Sequence, residues 1–388
     1  TSYKKLPQIN YKQREIVLKN IKYVKSIIPQ YEIDYTRNLN KIKPDYVVHG
    51  DDWKKGILSG IRSKVIKQLK KWNGKLIEIP YTKNISSTII KRRTLETGNI
   101  PTNRVSKLKR LIEAKDIVKF LECHNSLTGL IIENLNYTKS NTFNEFDGMW
   151  SSSLTDSLSR GKPDNQSVDL STRFLGLNEI LDVTTKPIIF DADNGGRIEH
   201  ISYTVKSLER MGVSAMVIED KVGLKRNSLF KNQKGVKQDS IKNFSEKISV
   251  ANKSKKINDF FIVARVESLI LKKGKNDALK RAEAYSEAGA DAILIHSKEK
   301  KPNEIFEFSK LFLKSKFYKP LIAVPSTYSI VKEGELARNG IKVVIYANQL
   351  LRASYPAMNE TARKILQHKR AKEVEKNITP IKNIISLI

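Results

Sequence analysis

The sequence predicts an α/β protein: a (β/α)8 barrel preceded by a smaller, incomplete α/β region. Three observations carry that expectation. From residue 108 onward, short apolar runs alternate with longer segments of helical periodicity. Eight such units fit into about 260 residues, the usual length of a closed (β/α)8 barrel and more strands than a doubly wound sheet needs. Polar or charged residues also stand at the carboxyl ends of seven of those eight runs, where such a barrel builds its site.

The elements follow in order. Residues 13–30 place Ile16, Val17, Ile21, Val24 and Ile27–Ile28 on one helical face. Tyr46 to Gly50 is a short strand running into a glycine turn, Ile61 to Trp72 an amphipathic helix, and Leu76 to Ile79 a second strand. Ile85-Ser86-Ser87-Thr88 reads as a turn opening another helix. Two strands cannot cover both faces of a sheet, so the region 1–93 is expected to be incomplete. Residues 94–107, polar with Gly98 and Pro101, read as a linker. Residues 108–375 form the expected barrel, with strands at 118–122, 147–150, 187–191, 214–219, 260–266, 291–295, 320–324 and 342–346. Segments 199–211, 275–288 and 302–314 carry helical periodicity between them, and residues 376–388 remain as a tail.

Composition narrows the function classes. No run of about 18 uncharged apolar residues occurs, which argues against a transmembrane helix. The one cysteine, Cys123, argues against a disulfide framework and for a reducing compartment. No secretory signal opens the chain, so a cytoplasmic protein is expected, and the missing initiator Met points to a start further upstream. The net charge is +30, of which residues 1–110 hold +18 and the remainder +12. A basic nucleic-acid-binding adaptor is therefore the non-enzymatic alternative. The chain has no groove-reading motif, zinc pattern or aromatic RNP run, so a site for small anions is preferred.

The strand ends form a consistent polar set: Glu122 and His124; Trp150 with Ser151, Ser152 and Ser153; Asp191 and Asp193; Glu219, Asp220 and Lys221; Arg265 and Glu267; His296 and Ser297; Asn348. Any one of these is most often a helix cap or a buried ion-pair partner. Their conjunction favours a site. Asp191, Asp193 and Glu219 are hard oxygen donors suited to Mg²⁺, with no His/Cys pattern for zinc. Arg265 and His296 suit a phosphoryl or carboxylate group, and Ser152 with the N–H groups after it suits an oxyanion. These residues predict a Mg²⁺ enzyme acting on a small phosphorylated or dicarboxylic acid.

Specific motifs sharpen this. GMWSSSL from Gly148, GKPD ending at Asp164, PIIFDADNGG from Pro187, VIEDKVGLKRNSLF from Val217, FIVARVESLI from Phe261, RAEAYSEAGADAILIHSK from Arg281 and IYANQLLRA from Ile345 resemble the phosphoenolpyruvate mutase family of the isocitrate lyase/PEP mutase superfamily. The resemblance covers roughly residues 108–375 and implies a (β/α)8 barrel of that type that interconverts phosphoenolpyruvate and phosphonopyruvate. It implies that Asp191 ligates Mg²⁺ directly, with Asp193 and Glu219 reaching the metal through water. It also implies that Trp150, Ser152, Ser153 and Leu154 line the carboxylate end, and that Asn227, Ser228, Arg265 and His296 bind the phosphoryl end. Lys225 and Asn227 would ride a gate spanning about 220–235, and Asp164 matches an active-site aspartate. The chain departs from the family at Ser151 and Ser153, where glycine is frequent, and at Asp193-Asn194-Gly195-Gly196, where DTGYG is usual. No charged group changes, so tuning rather than loss is expected.

Sister activities share the scaffold. Phosphonopyruvate hydrolase has a threonine where this chain has Asn227, and lyases of the isocitrate lyase type carry a loop cysteine, whereas Cys123 lies elsewhere. Mutase therefore leads, hydrolase follows and a C–C lyase trails. The resemblance also implies a homo-oligomer, tetramer or dimer, with the last helix exchanged between subunits. The apolar tail Ile384 to Ile388 is compatible with that.

At the front, KPDYVVHGDDW from Lys43 and EIPYTKNISST from Glu78 resemble the rear part of glycerol-3-phosphate-type cytidylyltransferases, a Rossmann-like nucleotidyltransferase fold. The resemblance implies Arg14, Gly50, Asp52, Trp53, Ser86, Ser87 and Thr88 on the nucleotide side and CTP as a partner. The His-x-Gly-His motif and first strand of that fold are absent, and Tyr81 replaces a common arginine. A truncated domain acting as a buttress is the expectation.

Overall fold

The computed structural model describes residues 11–54, 58–80, 98–139, 142–223, 225–228 and 235–387, with backbone alone at 52, 138–139 and 142–143. The chain divides into two units, Thr1–Leu95 with Tyr137–Asn144, and Glu96–Asn136 with Glu145–Ile388.

In the front unit, strands β1 (Tyr46–Gly50) and β2 (Lys75–Ile79) pair in parallel, from Tyr46 opposite Lys75 to Gly50 opposite Ile79. Helices Thr36–Ile42 and Ser59–Leu69 accompany them. Leu39, Trp53, Val65 and Leu69 form the core. Trp53, expected on the nucleotide side, is 1% exposed at its centre. This is a correction with a clear cause. The indole is a large apolar body, and its N–H finds a partner, donating to Glu78 Oε1 at 2.9 Å. Arg62 holds the same carboxylate with two bonds of 2.8 and 2.9 Å. Arg14 is exposed, and Gly50 closes β1. Ser86, Ser87, Thr88 and the Asp52 side chain lie outside the described residues. The helix expected over 13–30 is only Tyr11–Lys19 and buries nothing. Tyr23 takes a left-handed φ of 78°, Pro29 disfavours helix at Ile28, and an apolar face without a core to pack on does not hold a helix.

In the second unit each of the eight expected apolar runs is a strand: β3 (Val118–Glu122), β6 (Gly148–Ser151), β7 (Ile188–Asp191), β8 (Ala215–Glu219), β11 (Phe261–Val266), β12 (Ala292–Ile295), β13 (Leu321–Ala323) and β14 (Ile341–Tyr346). They pair in parallel in that order, and β14 closes on β3. A shorter pair in this unit is β9 (Lys221–Val222) with β10 (Lys237–Gln238), while β4 (Asn136–Lys139) pairs with β5 (Thr142–Glu145) largely within the Tyr137–Asn144 segment of the front unit. Outer helices include Ile198–Met211, Ile241–Ser254, Gly274–Glu287 and Asn303–Phe312.

Alternation along each strand splits its side chains between two cores. Ile189, Ala215, Val217, Phe261, Val263, Ala292 and Leu294 belong to the interior cluster, while Ile188, Phe190, Met216, Ile218, Ile262, Ala264 and Ile293 pack with the outer helices. Gly148 is required on β6, since a Cβ there would lie 2.2 Å from the Phe120 ring and 2.7 Å from the Pro187 carbonyl oxygen. Leu108, Leu111 and Ile112 of helix Pro101–Ala114 join the interior cluster. That helix corrects the linker expected over 94–107. Pro101 stands in its first turn, where proline suits a helix start. Arg104 and Val105 are buried, with Arg104 donating to the carbonyls of Leu181 (3.2 Å) and Thr184 (2.9 Å). The chain ends with helix Gln349–His368, which buries none of its residues, and the short helix Ile381–Ile385 in the tail.

Candidate active site

Period-two alternation carries the interior face out to the carboxyl ends of the strands. Asp191 follows Ile189, Glu219 follows Val217, Arg265 follows Val263 and His296 follows Leu294, each two residues on from an interior side chain. Glu122 and Trp150 take the same face on β3 and β6, where they are register partners. Apolar strand interiors thus end in a polar mouth.

Two clusters fill that mouth. The first surrounds Lys225. Its ammonium lies 2.5 Å from Asp193 Oδ1, 3.1 Å from Asp164 Oδ1 and 3.6 Å from Asp191 Oδ2, and it also contacts the Ser153 hydroxyl. Ser153 in turn donates to Asp191 Oδ2 at 2.7 Å, while Asn227 donates its amide to Asp164 Oδ2 at 3.1 Å. Burial opposes the charged form of Asp191, but Lys225, Arg265 and Arg173 outweigh it and hold this carboxyl well below its usual range. Burial also opposes the Lys225 charge, and Asp191, Asp193 and Asp164 more than restore it. Asp193 sits at φ 53°, in the left-handed region that is uncommon for non-glycine residues.

The second cluster surrounds Arg265. Its Nε donates to Glu267 Oε1 at 2.6 Å, and its Nη2 donates to Ser228 Oγ at 2.8 Å and to His296 Nδ1 at 3.2 Å. Because Nδ1 accepts from Arg265, the His296 proton belongs on Nε2. Burial holds His296 below its usual pKa and so neutral, and Nε2 is buried with no hydrogen-bond partner among the described residues. That leaves one donor free at the mouth. Glu219 lies 3.4 Å from Lys221 and 3.6 Å from Arg265, with its pKa pushed up to about 7 by burial against the pull of those cations.

The acids can be weighed for Mg²⁺. Asp191 and Asp193 converge on one cation, the Lys225 ammonium, which also lies beside Asp164 Oδ1. Among the described residues no three acid, His or Cys groups form a metal cage. Mg²⁺ does not ask for one: it takes one or two carboxylates and completes its shell with water and substrate oxygens. Asp191 with Asp193 fits that demand. Glu219, expected in the same set, is turned instead to Arg265 and Lys221.

The other expected site residues divide. Trp150, Ser152 and Ser153 are buried on the mouth side of β6, and Leu154 is half-buried. Ser152 Oγ caps helix Ser153–Ser159 by accepting from Thr155 N at 3.4 Å. The sequence reading missed Arg173, buried in helix Leu170–Asp182. It donates to the Asp191 carbonyl at 2.6 Å and to Asp156 Oδ2 at 3.3 Å, and stacks 4.2 Å above the Phe190 ring. No local signal marks it, since an arginine in a polar helix reads as surface.

With this geometry in hand, known proteins fall into line. The profile described as phosphoenolpyruvate phosphomutase matches residues 108–366, and a cytidylyltransferase-like profile matches 1–93. A phosphoenolpyruvate phosphomutase of Tetrahymena pyriformis is 36% identical over 74% of this chain and 91% of its own length. A phosphonopyruvate hydrolase of Variovorax sp. (strain Pal2) is 33% identical over 72% of this chain and 93% of its own. Among solved structures, a phosphoenolpyruvate phosphomutase of Streptomyces platensis subsp. rosaceus superposes with a TM-score of 0.67 at 31% identity, covering 73% of this chain and 94% of that one.

Proposed function

The chain belongs to the phosphoenolpyruvate phosphomutase family, and from that premise we propose that it interconverts phosphoenolpyruvate and phosphonopyruvate by Mg²⁺-dependent intramolecular phosphoryl transfer. The observation that carries this reading is Asn227, whose amide is anchored on Asp164 beside Lys225, on the same mouth as the Arg265–His296 pair. The resemblance assigns asparagine at this position to mutases and threonine to the hydrolase.

The reaction moves a PO₃ group between the enol oxygen and the methylene carbon of one pyruvyl fragment. The protein must hold both ends and shield the charge that develops. Arg265 offers a guanidinium fixed by Glu267, His296 offers its free Nε2–H, and Asn227 offers an amide donor to the same group. Asp191, with Asp193 beside it, would hold Mg²⁺, which would supply Lewis-acid stabilisation of negative charge developing on the pyruvyl oxygens. Segment 225–228 reaches Asp164, Asp193 and Arg265 through Lys225, Asn227 and Ser228, a placement that suits keeping water from the transferring group. A cysteine-based lyase is disfavoured, because Cys123 is buried and its thiol is pushed up to about 12 by desolvation.

Phosphorus NMR of phosphonopyruvate with Mg²⁺ tests the reading. Conversion of the C–P signal to phosphoenolpyruvate supports the mutase. Stoichiometric inorganic phosphate would make the chain a hydrolase, and no change would leave the basic-adaptor alternative.

Three further parts of the proposal rest on separate observations. The buried free thiol suits a reducing, cytoplasmic setting. Helix Gln349–His368 leaves Tyr355, Met358 and Leu366 exposed, which supports a homo-oligomer, dimer or tetramer, in which a second copy covers it; sedimentation at micromolar concentration checks this. The front region matches a cytidylyltransferase-like profile, but the chain as given carries no His-x-Gly-His motif, so cytidylyl transfer by it is not expected. CTP with a phosphonate should release no pyrophosphate.

A further inference from the structure

We infer that Ser228 and Glu267 are a positioning pair that ties segment 225–228 to Arg265, so that the groups reaching the phosphoryl end are set as one unit. The inference deepens the mutase reading and rests on it.

Ser228 was expected to bind substrate. Its hydroxyl donates to Glu267 Oε2 at 2.6 Å and accepts from Arg265 Nη2 and from Lys221 Nζ, both at 2.8 Å. A serine hydroxyl has one proton and two lone pairs, so its capacity is spent inside the protein. It is also buried, in contact with the buried side chains of Glu267 and Lys221 and with the partly buried Arg265. Ser228 therefore works through its neighbours.

Glu267 is the centre of that neighbourhood. It is fully buried; one oxygen holds Arg265, and the other holds Ser228 and lies 3.3 Å from Lys221. Lys221 also donates to the Arg226 carbonyl at 3.0 Å, so the segment is held at Arg226 and at Ser228, on either side of Asn227. The main-chain N–H of Glu267 donates to Asp220 at 2.9 Å, and Asp220 accepts from Tyr285 at 2.9 Å and from Arg281 at 3.3 Å. Support thus runs from helix Gly274–Glu287 through Asp220 and Glu267 to Arg265, and through Ser228 to Asn227. Because Arg265 donates to His296 Nδ1, the same pair fixes which nitrogen of His296 carries the proton.

The test uses Ser228→Ala and Glu267→Gln in the full chain. Loss of one charge-assisted hydrogen bond predicts a roughly 10- to 100-fold fall in kcat. The KM for phosphonopyruvate should change less than about threefold, and inorganic phosphate should rise as a fraction of product, because a loosened Asn227 and Arg265 no longer hold the PO₃ group against water. A second readout does not depend on the reaction. Trypsin cleavage after Lys225 or Arg226, followed by intact mass in the substrate-free protein, should accelerate about tenfold in Ser228→Ala at an unchanged melting temperature. Wild-type cleavage and wild-type kcat in Ser228→Ala would overturn the inference even if Glu267→Gln fails to fold. If the parent chain does not turn phosphonopyruvate over at all, the mutase reading falls, and the proteolysis alone decides whether the tether exists.

Discussion

Arg173→Met should cost the second unit about 3 kcal/mol and most of its activity. The side chain is 3% exposed and makes five contacts: the Asp191 carbonyl (2.6 Å), Asp156 (3.3 Å), the Ser151 carbonyl (3.5 Å), Asp193 (3.8 Å) and the Phe190 ring (4.2 Å). Removing one member of a buried ion pair usually costs about 3–5 kcal/mol, because the partner charge is stranded. Here Asp156 keeps a second partner, Arg160, at 2.8 Å, which places the loss at the lower end. What remains is a charge-assisted bond to the Asp191 carbonyl, about 1.5–3 kcal/mol, and a desolvated cation–π contact of about 2 kcal/mol, partly offset because methionine buries no charge. A unit of this size loses about 2–4 °C per kcal/mol, so the main transition should fall by roughly 6–12 °C in differential scanning calorimetry. Arg173→Lys should be intermediate, since one ammonium cannot reach both Asp156 and the β7 carbonyl as a planar fork does. The phosphorus NMR assay, run well below the transition, should show turnover falling with it, because Arg173 fixes the strand end that presents Asp191. A midpoint within 1 °C of the parent protein would refute the reasoning.

Four other outcomes follow from the geometry. Cys123, pushed up to about 12, should resist thiol reagents at pH 8 at least about a thousandfold more than an ordinary cysteine, and label fully only in urea; native labelling within minutes would contradict its burial. Glu78 is held down to about 2, chiefly by Arg62, against an ordinary value of 4.5. A depressed carboxylate pKa stabilises above the unfolded value and is lost as pH falls through the folded one, so front-unit tryptophan fluorescence should change between pH 4.5 and 2 and Glu78→Gln should flatten that change. Gly148→Ala forces a Cβ to 2.2 Å from Phe120 and should destabilise the barrel by at least about 1–3 kcal/mol, read as a lower urea midpoint. Asp191→Ala should abolish turnover at any Mg²⁺ concentration, whereas tenfold more Mg²⁺ should partly restore Asp193→Ala; equal, unrescued loss would remove the hierarchy between them.

What could be read from the sequence follows from where each signal resides. Fully buried parallel strands must be apolar on both faces, so runs such as Ile188–Phe190 and Ala215–Ile218 announce themselves, and alternation then aims Asp191, Glu219, Arg265 and His296 inward. Those are local facts. Arg173 and Ser228 are not: their roles exist only once residues 17 to 39 positions away arrive, and nothing in a helix or loop pattern encodes that arrival. Trp53 shows the opposite failure. Its Gly-Asp-Asp-Trp setting reads as a nucleotide turn, yet the buried core of this unit holds only four apolar side chains among the described residues, and Trp53 is one of them. The segment 94–107 misled for a related reason, since the Gly and Pro that mark a linker also mark a helix start, and burial of Arg104 and Val105 decides between them.

Net charge misleads in a way that bears on mechanism. The chain carries +30, which suggests a cationic funnel for an anionic substrate. At the mouth acids and cations are interleaved instead. Asp164, Asp191, Asp193, Glu219 and Glu267 meet Lys225, Lys221 and Arg265, and Arg173 is shared between Asp156 and Asp193. Like charges a few ångströms apart in a buried site repel by several kcal/mol even at an effective dielectric near 20. A phosphorylated carboxylate therefore cannot enter on the strength of the surface lysines, which solvent and salt screen beyond about 10 Å. It needs a positive charge delivered to the carboxylates themselves. The three carboxylates Asp164, Asp191 and Asp193, gathered around Lys225, are thus the part of the mouth that a divalent cation suits. The fixed cations at Arg265 and the neutral, donating His296 are then free to act on the other end of the substrate.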